Sequence, residues 1–229
     1  METTLVTFKN KQVKSPFAPK WNYHLIESFI DDVDFVNLTN LILNRESEII
    51  QNTQEEYEKQ NEFIYRDPFD GYTGLGSNSL TSRSNLYNLL TWNDPDIDKI
   101  KNNILKIHDI FLKRLGYRSR KKLYIQCWAN VLRKGEQIKP HIHSIGPDCY
   151  LGGHITLKTT KTSTYYMNPV DQINFPQVHQ SENKSGKITL FQNCLPHYTD
   201  VYNGSTERIS IAFDLSLYPI DNKTMLRIR

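Results

Sequence analysis

The sequence predicts an α+β protein that is mainly β, a sandwich or jelly roll with N-terminal helices packed on one sheet. Apolar residues recur with a helical period in the first half of the chain and at every second position after Gly116. Helical segments followed by a run of about eight short strands are typical of helices packed against antiparallel sheets. The 229 residues fit a single domain, 1–229, with a helical support over 1–120 and a jelly-roll core over 121–218.

The composition is that of an ordinary globular protein. Hydrophobic residues make up 38% and charged residues 23%, and the net charge of +3 gives no support for nucleic-acid or membrane binding. Cys127, Cys149 and Cys194 are odd in number and widely spaced, which argues against a disulfide framework. The N-terminal residues lack the apolar region of a signal peptide, and no apolar run could span a membrane. We therefore expect a reducing cytoplasm, which is the host cytoplasm if the chain is viral.

Two kinds of segment are predicted before the clearest helix. Residues 22–60 show helical spacing, with Phe35, Leu38 and Ile42 among the recurring apolar positions, and are predicted to form two helices. Residues 61–91 are dense in turn formers and aromatic residues. Long ordered loops of this kind often cover a site, so a lid is predicted there; a surface excursion packed on the barrel is the alternative.

The clearest helix is predicted over 94–115. Asp94 suits the N-cap, Pro95 suits the first helical position, where its missing N–H costs nothing, and Gly116 ends the helix. The apolar residues of this segment share one helical face. His108 lies at the edge of that face and is expected to be a packing or surface histidine rather than a metal ligand.

Alternation at every second residue predicts the strands. The segment 123–132 has one apolar face and one polar and aromatic face, which is typical of a strand between a core and a cavity. The core face carries Leu123, Ile125, Cys127, Ala129 and Val131, and the cavity face carries Tyr124, Gln126, Trp128 and Asn130. Further strands are predicted over 137–143, 150–158, 163–168, 172–178, 187–192 and 208–217.

Three histidines form the candidate metal site. His141 and His143 are two residues apart, so on a strand both side chains point to the same face. His197 follows a proline turn later in the chain. Neutral imidazoles suit Fe, Zn, Cu or Ni. The His-x-His pair alone is also compatible with surface histidines or a structural zinc site, and the third histidine strengthens the functional interpretation.

The last predicted strand offers an anion site. Arg208 and Ser210 share a face with Asp214, whereas the apolar residues between them must face the core. A planar guanidinium can hold a carboxylate through two hydrogen bonds, with Ser210 adding another. The alternative is a solvated ion pair of Arg208 with Glu207 or Asp214.

Together these residues carry a family resemblance. The motifs are Trp128-x-Asn130, Gly135, Pro140-His141-x-His143, Gly152-Gly153, Gly186 with Phe191 after it, Pro196-His197 and Arg208-x-Ser210. They resemble the 2-oxoglutarate and Fe(II)-dependent oxygenases, most closely the phage and bacterial branch related to prolyl hydroxylases, and the segments 73–76 and 81–83 resemble phage-encoded members. The resemblance implies a double-stranded β-helix, a cupin-like jelly roll.

The resemblance also implies roles for individual residues. His141, His143 and His197 would bind the metal, with His143 in the position where relatives carry Asp or Glu. Arg208 would bind the distal carboxylate of 2-oxoglutarate with help from Ser210. The remaining candidates are Tyr124, Gln126 and Asn130 for the co-substrate pocket, Asp148 or Asp200 as a substitute carboxylate, and His154 as a residue behind or beside the metal.

The implied activity is a dioxygenase that uses Fe(II), 2-oxoglutarate and O2. It would hydroxylate an unactivated C–H, on a protein or peptide side chain with proline as one candidate, while 2-oxoglutarate is decarboxylated to succinate. A small-molecule substrate is an alternative, and the oligomeric state is left open. Two other classes are carried forward: a cupin-like three-histidine metalloenzyme that uses no 2-oxoglutarate, and a non-catalytic metal-binding jelly-roll protein.

Overall fold

The computed structural model describes residues 1–9, 21–61, 73–119, 121–143, 150–170, 177–219 and 224–229. These residues form three α-helices and ten strands. The helices are α1 (Phe35–Asn52), α2 (Gln54–Asn61) and α3 (Pro95–Arg114). The strands are β1 (Thr3–Phe8), β2 (Tyr23–Phe29), β3 (Tyr124–Leu132), β4 (Leu151–Lys158), β5 (Ser163–Met167), β6 (Val178–Glu182), β7 (Lys187–Gln192), β8 (His197–Thr199), β9 (Arg208–Ser216) and β10 (Leu226–Arg227).

The strands form two antiparallel sheets, as the predicted jelly roll requires. The larger sheet has the order β1-β2-β7-β4-β9-β3-β10, and the smaller sheet has the order β6-β5-β8. The chain passes back and forth between the two sheets, because β4, β7 and β9 belong to the larger sheet whereas β5, β6 and β8, which lie between them in sequence, belong to the smaller one. The predicted mainly β fold with helices on one sheet is confirmed.

The larger sheet separates an apolar core from a polar cavity. One face packs with α1 and α3, and the core there includes Ile104 and Phe111 of α3 with Cys127 of β3 and Ile211 of β9, all fully buried. The other face points toward the smaller sheet. The alternation predicted for β3 and β9 is confirmed, since their apolar residues lie in this core.

Helix α3 begins and ends close to the predicted bounds because its signals are local. The Asp94 side chain accepts a hydrogen bond from the Asp96 backbone N–H at 2.8 Å, and Pro95 is the first helical residue. His108 is fully buried in the helix, with its Nε2 2.7 Å from the Tyr150 hydroxyl, so it is a packing histidine. No helix among the described residues is both long enough and apolar enough to cross a membrane.

The helical prediction for 22–60 was wrong in its first part. Tyr23–Phe29 is strand β2, which pairs with β1 on one side and β7 on the other, and helix α1 begins only at Phe35. The adjacent apolar residues Leu25 and Ile26 face opposite sides of the larger sheet, and both are fully buried. Pairing with other strands of the sheet, rather than local spacing, determines that this segment is a strand. The N-terminal half therefore contributes two strands as well as the helices.

The regular strand predicted over 137–143 was also wrong. The segment runs beside β8, but only His141 forms a bridge with His197, in which each backbone N–H donates to the other residue's carbonyl at 3.1 and 3.0 Å. Pro140 has no N–H to continue a ladder. The segment therefore forms an irregular edge to the smaller sheet.

Candidate metal and co-substrate site

A cavity of about 540 Å³ lies between the two sheets. Its lining includes all three candidate histidines together with Arg208 and Ser210. Thr73, Thr81 and Ser84, which precede α3, also contribute. This volume is within the usual range for a small-molecule site. The structure thus brings the predicted metal and anion residues into one cavity.

The three histidines converge on one point. One nitrogen from each of His141, His143 and His197 lies within 4.8 Å of the others. Nδ1 of His141 lies 2.8 Å from the carbonyl of Lys139, and Nδ1 of His197 lies 3.0 Å from the carbonyl of Leu195. A carbonyl can only accept, so Nδ1 carries the proton in both rings and Nε2 keeps the lone pair that binds a metal.

His143 is held by a different partner. Its Nδ1 lies 2.5 Å from Oδ1 of Asp214 on β9, and its backbone N–H donates to the carbonyl of Asn193 at 3.0 Å. The ring occupies space that Gly152 leaves open on β4. With Nδ1 bound to a carboxylate, Nε2 of His143 is also the nitrogen available to a metal.

The cluster is electrostatically suited to bind a cation. Burial, with a smaller contribution from the neighbouring His143, lowers the pKa of His141 to about 4. Burial also places the pKa of His197 well below its usual value, with additional contributions from His141 and His143. Both imidazoles are therefore neutral at pH 7 and present lone pairs rather than protons.

Arg208 is a buried cation that forms no ion pair with any of the described residues. Its side chain is 2% exposed, and its Nε and Nη1 have no hydrogen-bond partner among the described residues. Burial lowers its pKa to about 10, so it is still charged at neutral pH. The alternative ion pairs do not form, because Glu207 contacts Lys158 at 3.4 Å and Asp214 contacts His143. An uncompensated buried charge is costly, so this site fits an anionic ligand.

Polar groups surround Arg208. Ser210 is buried next to it along β9 and pairs with Thr156 of β4, whose Oγ1 is buried without a partner in the described part of the chain. On the other side, Asn130 of β3 pairs with Ser210 and accepts a hydrogen bond from the Thr81 hydroxyl at 2.7 Å. These groups offer donors for the oxygens of a dicarboxylate beside the guanidinium.

Two of the residues predicted for the co-substrate pocket, Gln126 and Tyr124, do not line the cavity. Gln126 donates to the carbonyls of Ser84 and Tyr87, both at 2.6 Å, and ties the preceding loop to β3. Tyr124 lies at the far end of β3, opposite Arg227 of β10. The structure therefore places both outside the lining that the described residues give the cavity.

Of the two substitute carboxylates only Asp200 is described, and it does not line the cavity. Asp200 accepts a hydrogen bond from the Ser163 backbone N–H at 2.6 Å, which fixes the end of β8. Asp148 lies outside the described residues. Asp214 was noted in the sequence only as a neighbour of Arg208 on one strand face. The even spacing between Arg208 and Asp214 along the strand places Asp214 on the cavity face. Spacing along the chain gives no indication of its contact with His143.

His154 lines the cavity behind the three histidines. Its Nε2 lies 2.5 Å from the hydroxyl of Tyr166, and burial together with the Arg208 charge lowers its pKa to about 3. It does not join the nitrogen cluster found among the described residues. Sequence reasoning missed Tyr166, which is fully buried on β5 and has no motif to mark it.

Two facing antiparallel sheets, three convergent imidazoles and a buried arginine without an ion-pair partner in the described part of the chain define a jelly-roll fold with a candidate metal centre and a candidate anion pocket. Residues 126–214, less than half of the chain, match the family described as "Putative 2OG-Fe(II) oxygenase". The match contains all three histidines and Arg208. Fe(II), 2-oxoglutarate and O2 are what this family uses, and the donor set fits the first two.

Solved structures similar to this chain include 2-oxoglutarate and Fe(II)-dependent oxygenases and prolyl hydroxylases. An oxidoreductase of the 2OG-Fe(II) oxygenase family from Burkholderia pseudomallei is 21% identical, with 58% of this chain and 64% of that chain covered and a TM-score of 0.43. A prolyl-4-hydroxylase from Pseudomonas putida is 13% identical, with 75% and 88% covered and a TM-score of 0.43. A viral collagen prolyl hydroxylase from Paramecium bursaria Chlorella virus-1 is also 13% identical, with 56% and 77% covered and a TM-score of 0.42.

The chain spans less than two thirds of the length of the Burkholderia protein. None of the curated proteins matches it. These structures do not indicate a substrate for this chain.

Proposed function

We propose that this chain is a 2-oxoglutarate-dependent dioxygenase that hydroxylates an unactivated C–H. His141, His143 and His197 would hold Fe(II), and Arg208 with Ser210 would hold the distal carboxylate of 2-oxoglutarate. The observation that carries the proposal is the buried, unpaired Arg208 in the same cavity as three converging histidines. A metal site that used no anionic co-substrate would have no need for this arginine.

The protein contributes binding, orientation and exclusion of water. When bound, iron, 2-oxoglutarate and O2 would supply the oxidising chemistry, in which one oxygen atom of O2 goes to succinate as 2-oxoglutarate loses CO2 and the other goes to the hydroxyl group of the substrate. The neutral imidazoles present fixed lone pairs, and Arg208 fixes the far end of the co-substrate. Phe191, fully buried, and Ile138 contribute apolar wall to the cavity and limit the water that reaches it.

A protein or peptide side chain is the proposed substrate class, with proline as the first to test. Trp128, Pro140 and Ile142 form an apolar part of the cavity lining, and Ile142 is 39% exposed. This wall suits an apolar side chain presented from outside. The resemblance of the motifs to the prolyl-hydroxylase-like branch points the same way, and a small-molecule substrate is the competing outcome.

We also propose that the loop over 61–91 is a lid, because its described part lies at the same cavity. Its described part borders the cavity through Thr73, Thr81 and Ser84, and the Lys139 backbone N–H donates to the Thr73 carbonyl at 2.8 Å. Residues 62–72 lie outside the described part of the chain. The cytoplasmic location expected from the cysteines stays a prediction.

The test is anaerobic reconstitution with Fe(II) and 2-oxoglutarate. We expect a visible metal-to-ligand charge-transfer band that is abolished in His197→Ala and weakened in Arg208→Ala. Glu207→Gln, which removes a charge next to Arg208 outside the cavity, is the matched control and should keep the band. Iron binding without a band would favour the cupin-like three-histidine enzyme, and no iron uptake would contradict both and leave a non-catalytic protein.

Activity and substrate class are then measured separately. Succinate formation under air, dependent on Fe(II) and 2-oxoglutarate, would support the reaction class. Proline-containing peptides and small apolar molecules would be compared by mass spectrometry for the gain of one oxygen atom. Succinate formation that no peptide stimulates would count against the proposed substrate class and leave the reaction class standing.

A further inference from the structure

We infer that Asp214 is a positioning residue that selects the metal-binding nitrogen of His143 and supplies the negative charge that the three-histidine set lacks. This inference rests on the proposed function in one respect, the use of the histidines as metal ligands. It goes beyond that proposal because it assigns a role to a residue outside the ligand set.

The geometry separates Asp214 from the ligands. Its Oδ1 lies 2.5 Å from Nδ1 of His143, yet it does not join the cluster of nitrogens within 4.8 Å of one another. The His143 side chain is 7% exposed and that of Asp214 is 31% exposed, so the carboxylate reaches the ring from the open side of the cavity. Asp214 therefore stands behind His143 rather than at the metal position.

The ring of His143 has little freedom to move sideways. Gly152 lies against it, Phe191 contacts it edge-on with ring centroids 5.4 Å apart, and Trp128 lies 6.0 Å away. A ring held this way can still exchange its two nitrogens by turning over, because both orientations occupy nearly the same space. The hydrogen bond to Asp214 selects the orientation with Nδ1 outward and Nε2 toward the other histidines.

The partner of His143 differs in charge from the partners of the other two histidines. His141 and His197 both donate to backbone carbonyls, which are neutral. Three neutral imidazoles leave the full charge of a divalent cation uncompensated. A carboxylate bound to one imidazole raises the basicity of that ligand and brings a negative charge close to the metal. In this chain the charge that a carboxylate ligand would carry is placed one hydrogen bond further out.

The test compares metal affinities in wild type, Asp214→Ala, Asp214→Asn and His143→Ala, using Co(II) as an anaerobic titrant and its visible absorption as a second readout. We expect Asp214→Ala to weaken Co(II) binding by about 10- to 100-fold. Asp214→Asn keeps an acceptor oxygen without the charge and should lose less. Glu207→Gln removes a charge at the start of the same strand and should match the wild type.

The double variant His143→Ala/Asp214→Ala identifies the route of the effect. If Asp214 acts through His143, its removal changes nothing further once the imidazole is gone. An equal loss in both backgrounds would overturn the inference, as would an unchanged affinity and spectrum in Asp214→Ala. If Asp214→Ala does not fold, the same criteria apply to Asp214→Asn in the two backgrounds. A wild type that binds no Co(II) would instead contradict the proposed function itself.

Discussion

A Cβ atom on Gly152 would lie 2.8 Å from Nδ1 of His143 and 2.9 Å from Oδ1 of Asn193. Both separations are well inside van der Waals contact, so no side chain fits at this point of β4 while the imidazole keeps its position. An imidazole is larger than a carboxylate ligand would be at the same place. The glycine on the neighbouring strand provides the room for that larger ligand.

The first prediction concerns the adjacent pair Gly152 and Gly153. Gly152→Ala should displace the His143 ring and lower Co(II) affinity by about tenfold or more, with a small effect on the unfolding of the metal-free protein. Gly153 faces the core instead, where a Cβ would meet the Phe213 ring and lie 2.7 Å from the Thr189 carbonyl. Gly153→Ala should therefore cost about 1–3 kcal/mol of unfolding free energy.

Chemical denaturation and Co(II) titration of both variants separate the two effects. The prediction fails if Gly152→Ala binds Co(II) as tightly as the wild type.

The second prediction concerns restoring a carboxylate ligand. His143→Asp alone would place a second carboxylate close to Asp214, where the two like charges repel. His143→Asp/Asp214→Asn removes that repulsion. We expect the metal-free double variant to have a higher unfolding free energy than metal-free His143→Asp, by on the order of 1–2 kcal/mol, because the like-charge repulsion is gone.

Chemical denaturation measures the difference. Asp214→Asn in the wild-type background is the control and should not raise the unfolding free energy, because there it removes the charged partner of His143. Equal unfolding free energies for His143→Asp and the double variant would contradict a repulsion between Asp214 and the new carboxylate.

The third prediction concerns the stability consequence of Arg208. With Zn(II) bound, 2-oxoglutarate at about 100 times its dissociation constant should add about 2.7 kcal/mol to the unfolding free energy of the wild type. Arg208→Met removes the buried unpaired cation, so we expect it to be at least as stable as the wild type without ligand. It should also lose the response to 2-oxoglutarate.

Thermal unfolding with and without 2-oxoglutarate measures both effects, and Glu207→Gln should respond as the wild type does. A full response in Arg208→Met would contradict the assigned anion site.

The fourth prediction concerns acid stability through Glu27, whose carboxylate lies 3.3 Å from Nζ of Lys187 and 3.4 Å from Nε2 of His179. Burial acts to raise the pKa of Glu27, but hydrogen bonds from His179 and Ser181 and the charge of Lys187 outweigh it and lower the pKa to about 2. A depressed carboxyl pKa stabilises the fold above the unfolded value of 4.5, and that contribution is lost as the pH falls toward 2.

The wild type should therefore lose on the order of 2 kcal/mol more unfolding free energy than Glu27→Gln between pH 5 and about pH 2.5. Urea denaturation across this range measures the difference. Glu55→Gln on the exposed surface is the matched control and should follow the wild type. Parallel pH profiles for wild type and Glu27→Gln would refute the assignment.

Local signals were enough for part of the fold. Asp94, Pro95 and Gly116 set the ends of α3, and simple alternation set the faces of β3 and β9. Strand β2 was missed because it depends on pairing with β7, more than half the chain away. Its adjacent apolar residues are also compatible with a helix, so nothing local distinguishes the two structures.

In the site, too, some positions follow from local spacing and others depend on long-range contacts. Residue parity correctly placed Arg208 and Ser210 on one face, and the structure brings them to the cavity with the three histidines. The contact between His143 and Asp214 was out of reach, because the segment carrying His143 is irregular and has no strand register to count from. Tertiary contacts of irregular backbone depend on the whole fold rather than on spacing along the chain.

The backbone bridge between His141 and His197 has a consequence for how the chain closes on itself. The same two residues that pair through their backbones also present the nitrogens that would hold the metal. A bound ion would act as a cross-link across the whole stretch from β4 to β7 and reduce the conformational freedom of any partly opened chain. Where Pro140 interrupts the ladder, coordination bonds would replace the missing hydrogen bonds, and the irregular edge of the smaller sheet would be stabilised by its ligand.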